Sequence, residues 1–222
     1  MLFLIGSPIG NLGDITLRAL EVLKNVSIVA AEDTRRSSIL LKHFEISKQL
    51  ISFHEHNEAK RTSELIERLR GGEKVALLTD AGMPSISDPG YRLVRASIES
   101  GIKVEVIPGP SAVLTALVGS GLPTDRFYFG GFLPVKSGQR ERELLAALAR
   151  EFTSIYFESP HRIVRSLEVI SRAEPVRSVC VARELTKQFE EYQRGTAATV
   201  LAHYVNHPPK GEITLLIKGV GK

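Results

Sequence analysis

Tryptophan is absent and aromatic residues make up only 6% of the chain, so a recognition surface built mainly from stacked aromatic platforms is not expected. There is one cysteine, Cys180, inside the apolar run SVCVA. A lone thiol cannot form an internal disulfide, which excludes a framework made in an oxidising compartment; Cys180 is expected to be a buried strand residue. No apolar stretch reaches the roughly 18 residues needed to cross a bilayer. The opening MLFLIGSPIG has no basic flank and is apolar for only a few residues, so it reads as a first strand and not as a signal peptide. These absences place the protein in the cytoplasm, away from membranes. Missing too are GxGxxG, a Walker lysine, GxSxG, HExxH and a Cys/His pair, which leaves the ordinary dinucleotide fold, P-loop chemistry and hydrolysis through a covalent intermediate without support. Charge gives little direction: a net +4 and a pI of about 9.2 permit a polyanionic partner without demanding one.

What is present is the composition of an ordinary globular protein, 43% apolar and 24% charged over 222 residues, enough for one large core or two small ones. Short apolar runs LFLI (2–5), VSIVAA (26–31), VALLT (75–79) and VEVI (104–107) each lead through a polar or Gly/Pro loop into a helical pattern. Their β-branched content and lack of alternation predict strands of a mostly parallel sheet, buried on both faces by the intervening helices. The first helix is expected from Asp14 or Thr16 with Leu17, Leu20 and Leu23 inward. A second covers 36–44, a third buries Leu65, Ile66 and Leu69, and a fourth turns Leu93, Val94 and Ile98 inward. Gly and Pro cluster at 119–131, which sets the expected domains as 1–118 and 119–222. The second half alternates less regularly. A helix at 139–150, strand SIYFE, a helix after Pro160, strand SVCVA, a hairpin signal EYQRG, a helix near 196–205 and strand ITLLIKG predict a mixed sheet, since the spacers around 185–196 are too short for covering helices.

The loops carry the chemistry. GSPIGNLGD (6–14) supplies small residues and free N–H groups before a helix. TDAGMPSISDPG (79–90) is too poor in strand and helix formers to be a mere connector; Asp80 is expected to accept hydrogen bonds from a ligand, and Asp88 either to line the same site or to form a turn or cap. IPGPSAV (107–113) fixes φ at two prolines around Gly109 and offers Ser111 as a helix start. In AEDTRR (31–36), acid–base or positioning work competes with a Glu32–Arg35 pair and with capping by Asp33 or Thr34. HEHNEAKR gathers His54 and His56 without a third and fourth ligand, so hydrogen bonding to substrate is expected and a metal is not. Lys136, Arg140 and Arg142 stand on one loop and helix start of the second half. Glu158, His161 and Arg162 follow one strand there, and Arg183, Glu184, Thr186 and Lys187 follow another.

Taken together, PIGNLGD, AEDTRR, HNE, DAGMPSISDPG, IPGPSA, GGFLP, ESPHR and ELTKQFEE, in this order across nearly the whole chain, closely resemble the bacterial ribosomal RNA small subunit methyltransferase I family of the tetrapyrrole-methylase superfamily. The resemblance implies an α/β, two-lobed fold with a cleft between an N-terminal mostly parallel sheet, covered by helices on both faces, and a C-terminal mixed lobe. It implies a homodimer that uses S-adenosyl-L-methionine to methylate the ribose 2′-hydroxyl of a cytidine in the decoding region of 16S rRNA, free or in the assembled 30S subunit. Pro8, Gly10, Asp80, Ala81, Gly82, Met83, Ile86, Ser111, Ala112 and Phe157 are the implied donor-binding residues. Asp33, Glu184 and Lys187 are expected to manage the hydroxyl proton and the developing negative charge. Arg35, His54, Asn57, Lys136, His161 and Arg162 are expected to hold the RNA, with no metal. Family members often carry a small helical segment after the last strand, whereas this sequence stops at Lys222 soon after EITLLIKG, which implies weaker rRNA affinity. Two other functions fit the loops less well: methylation of a tetrapyrrole-like small molecule, and a non-enzymatic ribosome-binding module.

Overall fold

The computed structural model describes residues 1–221, and the chain divides into two compact units, Met1–Ser111 and Ala112–Lys222. The division falls seven residues before the expected 118/119 boundary, because helix α5 (Ala112–Ser120) packs with the second unit.

The first unit alternates β1 (Leu2–Ile5), α1 (Leu17–Asn25), β2 (Ile28–Ala31), α2 (Thr34–His43), β3 (Gln49–Ser52), α3 (Glu58–Arg70), β4 (Val75–Leu78), α4 (Tyr91–Glu99) and β5 (Val104–Ile107). All five strands are parallel in the order β3-β2-β4-β1-β5. Strand side chains alternate between two cores. Phe3, Ile5, Val29, Ala76 and Leu78 pack with Ala19 and Leu23 of α1 and Leu40 and Leu41 of α2. Leu2, Leu4, Ile28, Ala30, Val75 and Leu77 pack with Leu65, Ile66 and Leu69 of α3 and Leu93 of α4 on the other face. Because β1 and β4 are neighbours whose following helices leave to opposite faces, the sheet has a topological switch at their carboxyl ends, the place where open α/β sheets hold ligands.

Three sequence expectations need correction. Strand β3 was not foreseen, because KQLIS offers only two apolar residues and its side chains are mostly unburied on the sheet edge. Leu17 is 80% exposed: Thr16 is the N-cap, its Oγ1 accepting the Ala19 N–H at 3.1 Å, and Ala19 takes the inward place in the first turn. Ile98 is 63% exposed, and the small Ser97 is buried instead.

The second unit adds β6 (Phe127–Phe132), α6 (Ser137–Ala149), β7 (Thr153–Glu158), α7 (Ile163–Ala173), β8 (Ser178–Arg183), β9 (Glu191–Thr196), α8 (Ala197–Asn206) and β10 (Ile213–Ile217). The sheet order is β6-β7-β10-β8-β9, with β6 and β7 parallel and the other neighbours antiparallel, as the short spacers predicted. Tyr156, Val179, Val181, Ile213, Leu215 and Ile217 form one core with α6, α7 and α8, while α5 lies against β8, β9 and β10. Cys180 is buried, as expected of a strand residue, and burial pushes its thiol up to about 11. Among the described residues no helix is long and apolar enough to cross a membrane.

Candidate active site

In the first unit three glycine-bearing loops meet backbone to backbone at the carboxyl ends of β1, β4 and β5. Ser7 and Gly82 exchange both backbone hydrogen bonds, at 2.8 and 3.1 Å, and Ser7 Oγ donates to the Thr79 carbonyl at 2.8 Å. Gly6 lies so close to the β5 loop that a Cβ on it would stand 2.7 Å from Gly109 Cα and 2.8 Å from Met83 Sδ. Only glycine permits that approach. Gly82 has φ +78°, so the DAGMP turn needs a left-handed residue there. Pro8, Gly10, Asp80, Ala81, Gly82, Met83 and Ile86 thus belong to one cradle, with Gly10 and Ile86 exposed on it. Ser111 and Ala112 follow the β5 loop at the division between the units.

The β2 loop joins this cradle through its carboxylates. The Asp80 carboxylate accepts the Asp33 N–H at 3.1 Å and lies 3.4 Å from Arg36, while Glu32 accepts the Asp80 N–H at 3.1 Å. The Glu32–Arg35 pair that the sequence allowed does not form. Arg35 is held by Asp33 through Nε at 3.1 Å and Nη2 at 2.7 Å, and Asp33 also caps α2 by accepting the Arg35 N–H. These bonds hold the Asp33 carboxyl far below the usual carboxylate range. Asp88 shifts the opposite way: burial, then the negative charge of Glu32, pushes it up to about 7. It does not cap α4. That helix starts at Gly90, whose N–H donates to Glu58 Oε1 at 3.0 Å.

At the end of β3, Asn57 is occupied with its own loop. Its Oδ1 accepts the His54 N–H at 2.9 Å and its amide donates to Ser52 Oγ at 3.1 Å. His54 Nδ1 is buried with no hydrogen-bond partner. Among the described residues no three His, Cys, Asp or Glu side chains come together as a cation site.

In the second unit β6, β7 and β8 end at one edge, since Ile213 of β10 pairs with Glu158 on one side and Arg183 on the other. That edge collects Lys136, Phe157, His161, Arg162, Glu184 and Lys187. Phe157 packs its ring against Phe129 and Phe132, with centroids 5.0 and 5.2 Å away. Lys136 and Arg162 are the N-cap residues of α6 and α7. Lys187 Nζ bridges Glu184 at 2.9 Å and Glu212 at 3.0 Å, and Glu184 Oε1 also accepts the Glu212 N–H at 2.9 Å. That N–H and the Lys187 ammonium lower the Glu184 pKa. Glu184 and Thr186 both have positive φ, so the ion pair fixes a strained turn. Each unit therefore gathers its predicted residues on the carboxyl edge of its own sheet, which is where βα loops of parallel neighbours must emerge.

The sequence resemblance is matched by direct comparison. The family model for tetrapyrrole (corrin/porphyrin) methylases matches residues 1–201. A ribosomal RNA small subunit methyltransferase I from Synechocystis sp. is 47% identical over 99% of this chain and 79% of its own length. The protein of the same name from Thermotoga maritima is 46% identical over 98% of both chains. Among solved structures, uroporphyrin-III-C-methyltransferase from Thermus thermophilus superposes with a TM-score of 0.67 at 21% identity, covering 98% of this chain and 93% of that one, a likeness of fold alone.

Proposed function

Because the chain belongs to the ribosomal RNA small subunit methyltransferase I family, within the tetrapyrrole methylases, we propose that it transfers the methyl group of S-adenosyl-L-methionine to a ribose 2′-hydroxyl of a cytidine in the decoding region of 16S rRNA. The observation that carries this reading is the cradle at the β1/β4 switch point. Its loops are held backbone to backbone through Gly6, Gly82 and Gly109, and its carboxylates Glu32, Asp33 and Asp80 outnumber the guanidiniums of Arg35 and Arg36, which suits a cationic ligand. In the first unit Pro8, Gly10, Asp80, Ala81, Gly82, Met83, Ile86 and Ser111 would hold the donor. When bound, it supplies a methyl carbon already activated by the adjoining sulfonium.

The protein must then align the 2′ oxygen with that carbon and take up the hydroxyl proton as the new O–C bond replaces the C–S bond, whose electron pair stays on sulfur as a neutral thioether. Asp33 and Glu184, the carboxylates first expected to receive it, are both held ionised by their partners and make weak bases. Their work is positional: Asp33 fixes Arg35, and Glu184 with Lys187 fixes the turn after β8. Asp88, raised to about 7 beside Glu32 and Asp80, is the carboxyl tuned to accept a proton near neutrality. Lys136, His161 and Arg162 on the second unit bind phosphates, as does Arg35 on the first, with His54 and Asn57 at the rim of the β3 loop. The protein works in the cytoplasm as a homodimer on small-subunit RNA or the assembled 30S particle.

The test offers a donor labelled in its methyl group together with assembled small subunits, free 16S rRNA and a uroporphyrinogen, followed by mass-spectrometric mapping of the labelled RNA. Label on a single cytidine ribose is expected. Label on the tetrapyrrole alone, or on no acceptor at all, would overturn the reading.

A further inference from the structure

Only two charged side chains among the described residues are buried, Arg140 and Glu158, and they lie beneath two adjacent loops. Strands β6 and β7 run parallel, and the Leu133 N–H donates to the Phe157 carbonyl at 3.0 Å, so the turns that leave them emerge side by side. Under the first turn, Arg140 Nη1 donates to the Pro134 and Val135 carbonyls at 3.2 and 3.0 Å, fixing the stretch that ends in exposed Lys136. Under the second, the Glu158 side chain has no exposed surface. Its Oε1 accepts the Ser159 N–H at 2.7 Å and Arg162 Nε at 2.8 Å, Arg162 Nη2 lies in ionic contact with the same oxygen at 2.8 Å, and its Oε2 accepts Ser166 Oγ at 2.8 Å. Arg162 itself stays partly open, with 21% of its side chain exposed.

We propose that Glu158 is a positioning residue, holding the Arg162 guanidinium in one orientation toward a phosphodiester of the substrate RNA. A buried ion pair adds little to stability over an apolar pair of similar volume, so a fully enclosed carboxylate at a functional edge needs another account. Orientation supplies it. A guanidinium whose Nε is hydrogen-bonded and whose Nη2 is paired with the same carboxylate oxygen has lost its rotamer freedom before substrate arrives, and less entropy is lost when its open edge meets a phosphate oxygen. The pair carries no net charge, so its effect falls on placement more than on attraction. Ser166, buried in α7, keeps the carboxylate from rotating, and Arg140 does for the Lys136 turn what Glu158 does for Arg162.

The inference rests on Arg162 being an RNA contact, and the test separates the two claims. Steady-state kcat and KM are measured on the full-length protein with assembled small subunits that lack this methyl group, for wild type, Glu158→Gln, Arg162→Ala and the double variant. Arg162→Ala is expected to lower kcat/KM about tenfold, within the range that misplacing a positioning group can cost. Glu158→Gln is expected to lower it about as much alone and by less than about twofold on top of Arg162→Ala, since coupled partners are not additive. An equal loss in both backgrounds means that Glu158 serves only the fold, and no loss means that it orients nothing; either overturns the proposal. If Arg162→Ala is silent, the RNA contact itself is wrong and the proposal goes with it. Should Glu158→Gln fail to fold, Ser166→Ala loosens the carboxylate without removing it. It is expected to give a smaller loss that likewise vanishes without Arg162, and persistence of that loss overturns the proposal.

Discussion

At the scale of single residues, the carboxylates of this protein are sorted by their surroundings. Asp33 sits under a guanidinium and two N–H groups and is held ionised, while Asp88 sits half-buried beside Glu32 and is held toward its neutral form. The stability consequence of Asp88 has a definite sign. Below its ordinary value of 3.8 both folded and unfolded chains carry the proton, and nothing is lost. As pH rises toward about 7 the unfolded chain ionises first, so stability falls, and above that point the cost is complete. Asp88→Asn is therefore expected to raise the melting temperature at pH 8 and to leave it unchanged at pH 3.5. The same variant is expected to slow single-turnover methyl transfer about a hundredfold or more, the usual worth of a positioned base, and to erase the inflection near neutrality in the rate profile. A variant both more stable and less active at pH 8 is the signature of a group kept for function; unchanged rates would remove Asp88 from the chemistry.

At the scale of elements, the cradle depends on backbone approach more than on side chains. Gly6→Ala would force a Cβ against Gly109 and the Met83 sulfur, and Gly6 cannot retreat without straining its N–H bond to the Ile107 carbonyl at 3.1 Å or the neighbouring Ser7–Gly82 bridge. Overpacking of this kind costs about 1–3 kcal/mol, which denaturant unfolding would register, together with weaker donor binding in calorimetry. Gly72→Ala is the control, since a Cβ there meets nothing within 4 Å although its φ of +90° carries a strain of its own. Helix α3 shows ordinary core dependence: Leu65 is fully buried between α3 and the sheet, so Leu65→Ala is expected to cost about 2–5 kcal/mol without moving KM for RNA if the fold is retained.

At the scale of the whole molecule, donor binding and assembly are the measurable quantities. A ligand that binds only the folded chain stabilises it by about 2.7 kcal/mol at a hundred times its Kd, so S-adenosyl-L-methionine is expected to raise the melting temperature in a concentration-dependent way. A Gly6→Ala protein should show a smaller rise at the same concentration. The homodimer reading predicts a sedimentation mass of about twice the 24.4 kDa of one chain. A monomer at micromolar concentration would set that part of the reading aside.

Much of this was legible in the chain alone. Runs such as LFLI and VALLT, unbroken by polar residues, determine strands buried on both faces, and the Gly/Pro loops after them mark where backbone must turn tightly. Strand β3 was hidden, because an edge strand needs no apolar run once a neighbour supplies its hydrogen bonds. Leu17 and Ile98 looked inward by periodicity, yet the smaller Ala19 and Ser97 are the residues buried there, because periodicity alone does not say how each helix is rotated about its axis against the sheet. The ionic partners of Asp33, Glu158 and Glu184 lie only two to four residues away, so the charges themselves were legible. Which distant groups complete them, as the Glu212 N–H does for Glu184 and Asp80 does for the Asp33 N–H, and whether water reaches them, is decided only when separate loops are brought to one sheet edge.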